Sequence, residues 1–203
     1  MTLIFKNSLK ALLEVNMNKA FLLLIVLFVF SSPCFANESR LRPADWGARI
    51  ISDNLENWYK VDGLVYRSEQ PDDKGMADIE RFGIRRVLNL REFHSDDDEA
   101  EATNLKTFRI PMNAAKIKNT DVIAALKIIK SSSQPILVHC WHGSDRTGTI
   151  VAMYRIVEQG WSKESALDEL VNGGYGYHSI YANIKKYINT ADIEDIRRRI
   201  TTP

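Results

Sequence analysis

The stretch Ile136-Leu137-Val138-His139-Cys140-Trp141-His142-Gly143-Ser144-Asp145-Arg146-Thr147-Gly148 joins an apolar run to a helical pattern through a short polar loop. It opens, after Pro135, with a compact apolar run of the length and composition of a buried strand. After Thr147 the apolar positions Ile150, Val151, Tyr154 and Val157 run on at helical spacing to Gly160. A strand passing through a tight loop into a helix is a unit of α/β architecture. Five residues stand between Cys140 and Arg146. A loop of that length can wrap an anion with its N–H groups pointing inward. The helix N-terminus adds partial positive charge, and the planar guanidinium grips two oxygens. The same field stabilises a thiolate, and Gly143 lets the loop turn tightly against its ligand. One arrangement thus supplies an anion site and a nucleophile, suited to attack of Cys140 on phosphorus and hydrolysis of the resulting phosphocysteine.

Working outward, residues 63–66, 86–90 and 108–110 read as further strands, the last ended by Pro111. A helix is expected from Asp72 or Asp73 to Gly83, a common terminator. Another starts at Thr120, with Val122, Ile123, Leu126 and Ile129 at helical spacing and Asp121 in its first turn. A helix over 163–171 and one or two more over 180–200 complete the pattern. The acid-rich run 94–101 reads as a solvated loop or helix start. Residues 37–57 are polar and irregular, with Trp46 and Trp58 as packing residues. Strands alternating with helices predict an α/β fold, a central, mostly parallel sheet flanked by helices.

The 203 residues, 45% hydrophobic and 26% charged, suit one globular domain. A formal charge of +1 argues against nucleic-acid binding, which usually shows a basic surplus. The N-terminus reads differently from the rest. Lys19 precedes an unbroken apolar run, 21–30, which ends at Ser31-Ser32-Pro33-Cys34-Phe35-Ala36. This is the order of a secretory signal, too short to span a bilayer as a helix. The expected organisation is a signal peptide over 1–36, with Met17 as an alternative start, and a catalytic domain over 37–203. Retention of the segment as a membrane anchor is the alternative. Cleavage after Ala36 would remove Cys34 and leave Cys140 as the sole thiol, so no disulfide could form within the mature chain. There is no clustered His/Cys/Asp set at ligand spacing, so neither a metal nor another cofactor is expected.

His139 to Gly148 resembles the HCxxGxxR loop of the protein tyrosine and dual-specificity phosphatases. Tyr66-Arg67-Ser68-Glu69-Gln70-Pro71, Asn89-Leu90-Arg91 and the run from Met153 to Trp161 are similar to the TpbA-like periplasmic tyrosine phosphatases. The resemblance implies a dual-specificity-phosphatase-like fold with Cys140 as nucleophile and Arg146 as phosphate and transition-state ligand. It implies that His139 orients the loop and tunes the thiol, and that Thr147 hydrogen-bonds the cysteine and assists hydrolysis. The amides from Trp141 through His142, Gly143 and Ser144 to Arg146 would hold the phosphate oxygens. The implied substrate is a phosphorylated protein or small phosphoester, and the implied setting is the periplasm, at the periplasmic face of a membrane signalling protein.

One departure stands out. The family's leaving-group acid is an aspartate on the loop before the long helix, and here 110–118 reads IPMNAAKIK, with Ala115 at the matching position. Asp145, beside Arg146, is the expected substitute; myotubularin-like and Sac-like lipid phosphatases also place Asp just before the loop arginine. The bland reading of Asp145 is a local salt bridge. Trp141 is expected on the pocket wall or in the core, and His142 at the loop rim or in solvent. Lys116 and Lys118 bind further phosphates or are ordinary surface residues, and Arg67 and Arg91 support the loop. Nothing in the residues requires His178 or its neighbours Tyr175 and Tyr177 to border the pocket. The competing functions are a phosphoinositide or inositol phosphate phosphatase and a non-catalytic phosphate-binding pseudophosphatase.

Overall fold

The computed structural model describes residues 41–202. The expected signal segment lies outside them. Among the described residues, no helix is long and apolar enough to cross a membrane.

Four short parallel strands make up most of a six-stranded sheet. They are β3 (Val65–Ser68), β4 (Arg86–Asn89), β5 (Lys106–Arg109) and β6 (Ile136–His139). A small antiparallel hairpin, β1 (Ala48–Arg49) and β2 (Tyr59–Lys60), extends the sheet beyond β3, giving the order β1-β2-β3-β6-β4-β5. The register pairs Ser68 with His139 and His139 with Asn89, so three strands finish side by side at the level of the HC dipeptide.

Successive strand residues point to opposite faces, and both faces are covered. On one, Tyr66, Val87 and Leu137 pack with Met76 and Ile79 of α1 (Asp73–Phe82) and with Trp58 and Leu55. Val65, Leu88, Ile136 and Val138 point to the other. There they meet α2 (Asn119–Lys130), α3 (Asp145–Val157), α4 (Lys163–Asn172), α5 (Ala182–Thr190) and α6 (Ile193–Thr201). A short 3₁₀ turn, Ser179–Tyr181, leads into α5. Helix α3 is buried along nearly its whole length, and its buried charges Asp145 and Arg155 are each paired, with His178 and Glu169.

The helix boundaries follow local chemistry. Asp72 caps α1 through its side chain and Gly83 ends it at φ +102°, as the sequence predicts. Asp121 lies in the first turn of α2, not at the cap, which is Lys118. Two expectations need correction. The hairpin β1–β2 lies in and beside a segment read as irregular. The acid-rich run is a loop, but it is not solvated throughout, because Asp96 is 2% exposed.

Candidate active site

The loop from Cys140 to Ser144 joins the carboxyl end of β6 to the amino end of α3. In open α/β sheets, ligands bind outside the carboxyl ends of the strands. Cys140 is a free, buried cysteine. Among the described residues, the N–H groups of Trp141, His142, Gly143 and Ser144 find no acceptor within the protein. They are unpaired donors at a helix N-terminus, where anions bind.

The loop is clamped from behind. Gly143 has φ +69°, and a Cβ there would stand 2.4 Å from the Ser68 carbonyl oxygen, so only glycine fits between loop and β3. Its own carbonyl accepts from Arg67 Nη2 at 2.6 Å. The Arg67 guanidinium, buried and stacked 3.6 Å from the Tyr175 ring centroid, is lowered by burial from the ordinary arginine range, while Tyr175, Glu169 and Cys140 pull the other way. Gln70 N donates to the Trp141 carbonyl and Leu90 N to that of His139. Ser144 Oγ donates to the Tyr175 carbonyl at 2.7 Å, and Asn57 Nδ2 donates to the carbonyls of His142 and Tyr175. The expectation that Arg67 and Arg91 support the loop is met for Arg67 by this direct contact.

Arg146 projects into a cleft of about 410 Å³ lined by Arg91, Glu92, Phe93, Asn113, Ala114, Ala115, Trp141 and Tyr181. Its Nη1 lies 3.4 Å from the Met112 carbonyl. Trp141, 55% exposed, stands on this wall with the Arg91 guanidinium 4.1 Å from its ring centroid. Burial lowers Arg91 from the ordinary arginine range, and the neighbouring charge of Arg146 lowers it further. Lys116 and Lys118 do not line this cleft. His142 is exposed at the rim, its ring centroid 5.5 Å from that of His178.

Asp145 is turned toward the Tyr175–His178 segment. Its Oδ1 accepts from the His178 backbone N–H at 2.9 Å, and its Oδ2 lies 2.7 Å from His178 Nδ1. The His178 side chain is 47% exposed and the Asp145 side chain 10%. A carboxylate at Nδ1 of an imidazole leaves the other ring nitrogen, Nε2, free to take a second partner. Thr147 Oγ1 is buried with no hydrogen-bond partner among the described residues, so the expected hydrogen bond to the cysteine is not made here.

Three groups at or beside the site carry no motif. Glu92 is the one carboxylate lining the cleft, and it accepts from Asn113 Nδ2 at 3.2 Å. His178 reaches Asp145 across 33 residues of sequence. Asp96 lies 2.9 Å from His139 Nε2, with both side chains wholly buried. The one sequence signal for Asp96 was its place in an acid-rich run close behind Asn89-Leu90-Arg91. Its neighbours Asp97 and Asp98 are exposed and made the run look uniformly solvated.

The pattern describing the tyrosine phosphatase family matches residues 54–199. The chain is 31% identical over 174 residues to the dual specificity protein phosphatase TpbA of Pseudomonas aeruginosa, covering 84% of this chain and 78% of the relative. It is 28% identical over 153 residues to the inositol diphosphatase SIW14 of Saccharomyces cerevisiae, spanning 70% of this chain and 53% of that protein. A crystal structure of P. aeruginosa TpbA in complex with pTyr is similar at a TM-score of 0.71 and 27% identity, covering 80% of this chain and 99% of that one.

Proposed function

The chain belongs to the tyrosine phosphatase family, and from that premise we propose that it is an exported enzyme that hydrolyses phosphotyrosine esters through a phosphocysteine on Cys140. Phosphoserine and phosphothreonine esters are further substrates in this reading. That the chain is a protein-tyrosine or dual-specificity phosphatase follows from its relatives. The observation that carries the residue assignment is the row of free N–H groups between a buried cysteine and Arg146 at the head of α3.

The phosphoryl group sits in that row, with the Arg146 guanidinium on two of its oxygens. Cys140 Sγ forms the S–P bond as the P–O ester bond breaks, and the leaving oxygen takes up one proton. Water then attacks phosphorus, the S–P bond breaks, inorganic phosphate departs and the proton is returned to the enzyme. We assign that proton to the Asp145–His178 pair. The loop that carries the family's acid has none here, and Asp145 stands beside Arg146 at the head of α3, paired with the half-exposed His178. His142, Gly143 and Ser144 shape the rim and cradle. Trp141, Phe93 and Tyr181 give the cleft aromatic walls, which suit a phenolic ester.

The test is turnover of an aryl and an alkyl phosphate across pH. Cys140→Ser is expected to abolish both activities and leave no trappable phosphocysteine. Asp145→Asn and His178→Gln are each expected to slow the alkyl ester by about 10²-fold or more and the activated aryl ester far less. Loss of alkyl turnover in Glu92→Gln, with Asp145→Asn unaffected, would transfer the acid role to Glu92.

A second reading is favoured by Arg91 beside Arg146, which offers a second guanidinium to a multiply phosphorylated substrate. It accords with the similarity to an inositol diphosphatase. Side-by-side kcat/KM for phosphotyrosine peptides and inositol phosphates separates the two. The signal-like segment supports placement in the periplasm, where a phosphorylated domain of a membrane signalling protein is the proposed partner. Fractionation of the native host locates the protein.

A further inference from the structure

His139 faces two acceptors. Its Nε2 lies 2.9 Å from Asp96 Oδ2, and its Nδ1 lies 3.2 Å from the carbonyl oxygen of Cys140. A neutral imidazole has one N–H and one lone pair. A neutral ring would therefore turn a lone pair toward an oxygen lone pair at one of the two contacts, unless Asp96 itself carried the proton.

Two chains of hydrogen bonds argue that Asp96 does not. The Arg91 backbone N–H donates to Asn89 Oδ1, so the Asn89 Nδ2 group is the end facing Asp96 Oδ1, at 2.8 Å. The Arg91 guanidinium donates to Gln70 Oε1, so Gln70 Nε2 is the end facing the same oxygen, at 3.0 Å. Asp96 Oδ1 is thus a double acceptor whose donors are each fixed by an unambiguous N–H further out. A carboxylate accepting several N–H bonds is stabilised in its charged form. Burial pushes the Asp96 carboxyl up, but the His139 and Gln70 hydrogen bonds and the charges of His139 and His94 more than reverse this and leave it below the ordinary range.

We propose that Asp96 is a positioning residue that holds His139 doubly protonated behind Cys140, so that the imidazolium charge favours the cysteine thiolate. The inference rests on the reading of Cys140 as nucleophile. The surroundings are compatible with it. His94 and Glu99 face Asp96 from its own loop, Arg91 from the turn after β4, and neutral Gln70 from the turn after β3; Arg67 acts on Cys140 from β3. Among these charged groups, Asp96 is the one bonded directly to the His139 ring.

The test reads the thiolate without turnover. The full chain carrying Cys34→Ala, so that Cys140 is the only thiol, is alkylated with iodoacetamide across pH. In the parent, the midpoint is expected below the ordinary cysteine value of about 8.5. In Asp96→Asn it is expected to move up by about one pH unit or more, and Asp96→Glu recovers part of the shift. A midpoint unchanged or lowered in Asp96→Asn, with the circular dichroism spectrum retained, overturns the inference and leaves the nucleophile reading standing. An unreactive Cys140 in the parent overturns both. Should Asp96→Asn fail to fold, nitrogen-15 NMR of the unsubstituted ring decides. Two protonated ring nitrogens at about pH 8 support the inference, and a bare nitrogen refutes it.

Discussion

Thr147 is the residue whose fold role and chemical role separate most cleanly. Its hydroxyl is enclosed in the core yet has no hydrogen-bond partner among the described residues. A buried hydroxyl without a partner costs stability, so replacing it by an apolar group of the same shape is nearly neutral or stabilising. Thr147→Val is therefore expected to leave unfolding stability unchanged or raise it by about 1 kcal/mol. If the hydroxyl assists the second chemical step, the same variant accumulates phosphocysteine, seen by mass spectrometry of acid-quenched enzyme. Equal rates and no accumulation would remove Thr147 from the mechanism. Gly143 sets the opposite case, since fold and chemistry there depend on one missing atom. Gly143→Ala, strained by its φ and pressed onto the Ser68 carbonyl, is expected to lose both stability and turnover. Thermal melts and an aryl phosphate assay check the two losses together. Cys140, Arg146 and Gly143 were legible because their spacing is a property of seven consecutive residues. Asp96 and His178 were not, because each earns its place through a partner on another element.

Helix α3 carries the site and is packed to its limit. A Cβ on Gly148, in its first turns, would stand 2.3 Å from Leu170 Cδ1 on α4. Leu170 is buried and has little room to yield. Gly148→Ala is expected to destabilise the fold by about 1–3 kcal/mol through overpacking. Leu170→Ala in the same chain should return part of that loss, so the two changes are non-additive in urea titrations. Additive losses would show that the helices separate freely at this crossing. At the element scale most boundaries were readable, since caps and apolar periodicity are local. The exceptions are instructive. β1 and β2 are two residues each, too short to show any period, and they exist because β3 offers an edge to pair with.

The molecule is closed by a buried ionic network that ties its first described residues to its helices. Glu169 accepts from Arg155 through both oxygens, from the Gly47 N–H and from the Tyr175 hydroxyl. Burial first, and then Glu169, push the Tyr175 hydroxyl up to about 12, so it remains a donor throughout the physiological range. Arg42 donates to the Gly173 and Gly47 carbonyls and to the Tyr175 hydroxyl oxygen. Removing one partner of such a pair strands the other without its counter-charge. Glu169→Ala is expected to cost about 3–5 kcal/mol in urea unfolding. Because Tyr175 stacks on Arg67 behind the loop, turnover should fall as well. Acid sensitivity belongs to the same scale. Asp96 has a folded value below its unfolded one, so its stabilisation is present above about pH 5 and is lost as pH falls below the ordinary aspartate value of about 3.9. Asp96→Asn should be less stable than the parent at neutral pH and lose less between about pH 5 and about pH 3. Parallel pH-stability curves would show that Asp96 contributes nothing to acid unfolding.

Alone, the sequence determined the strand–loop–helix unit, the α/β alternation and the pairing of a nucleophilic cysteine with an anion-gripping arginine. These depend on spacing within one turn of chain and on apolar period, which neighbours along the backbone dictate. Their surroundings come from packing between distant segments. The tertiary structure brought Arg67 under the loop, His178 onto Asp145, Asp96 onto His139 and Glu92 to the cleft wall. Each of these contacts joins separate elements whose meeting is set by sheet order and helix packing, and no local pattern of residue types encodes that meeting.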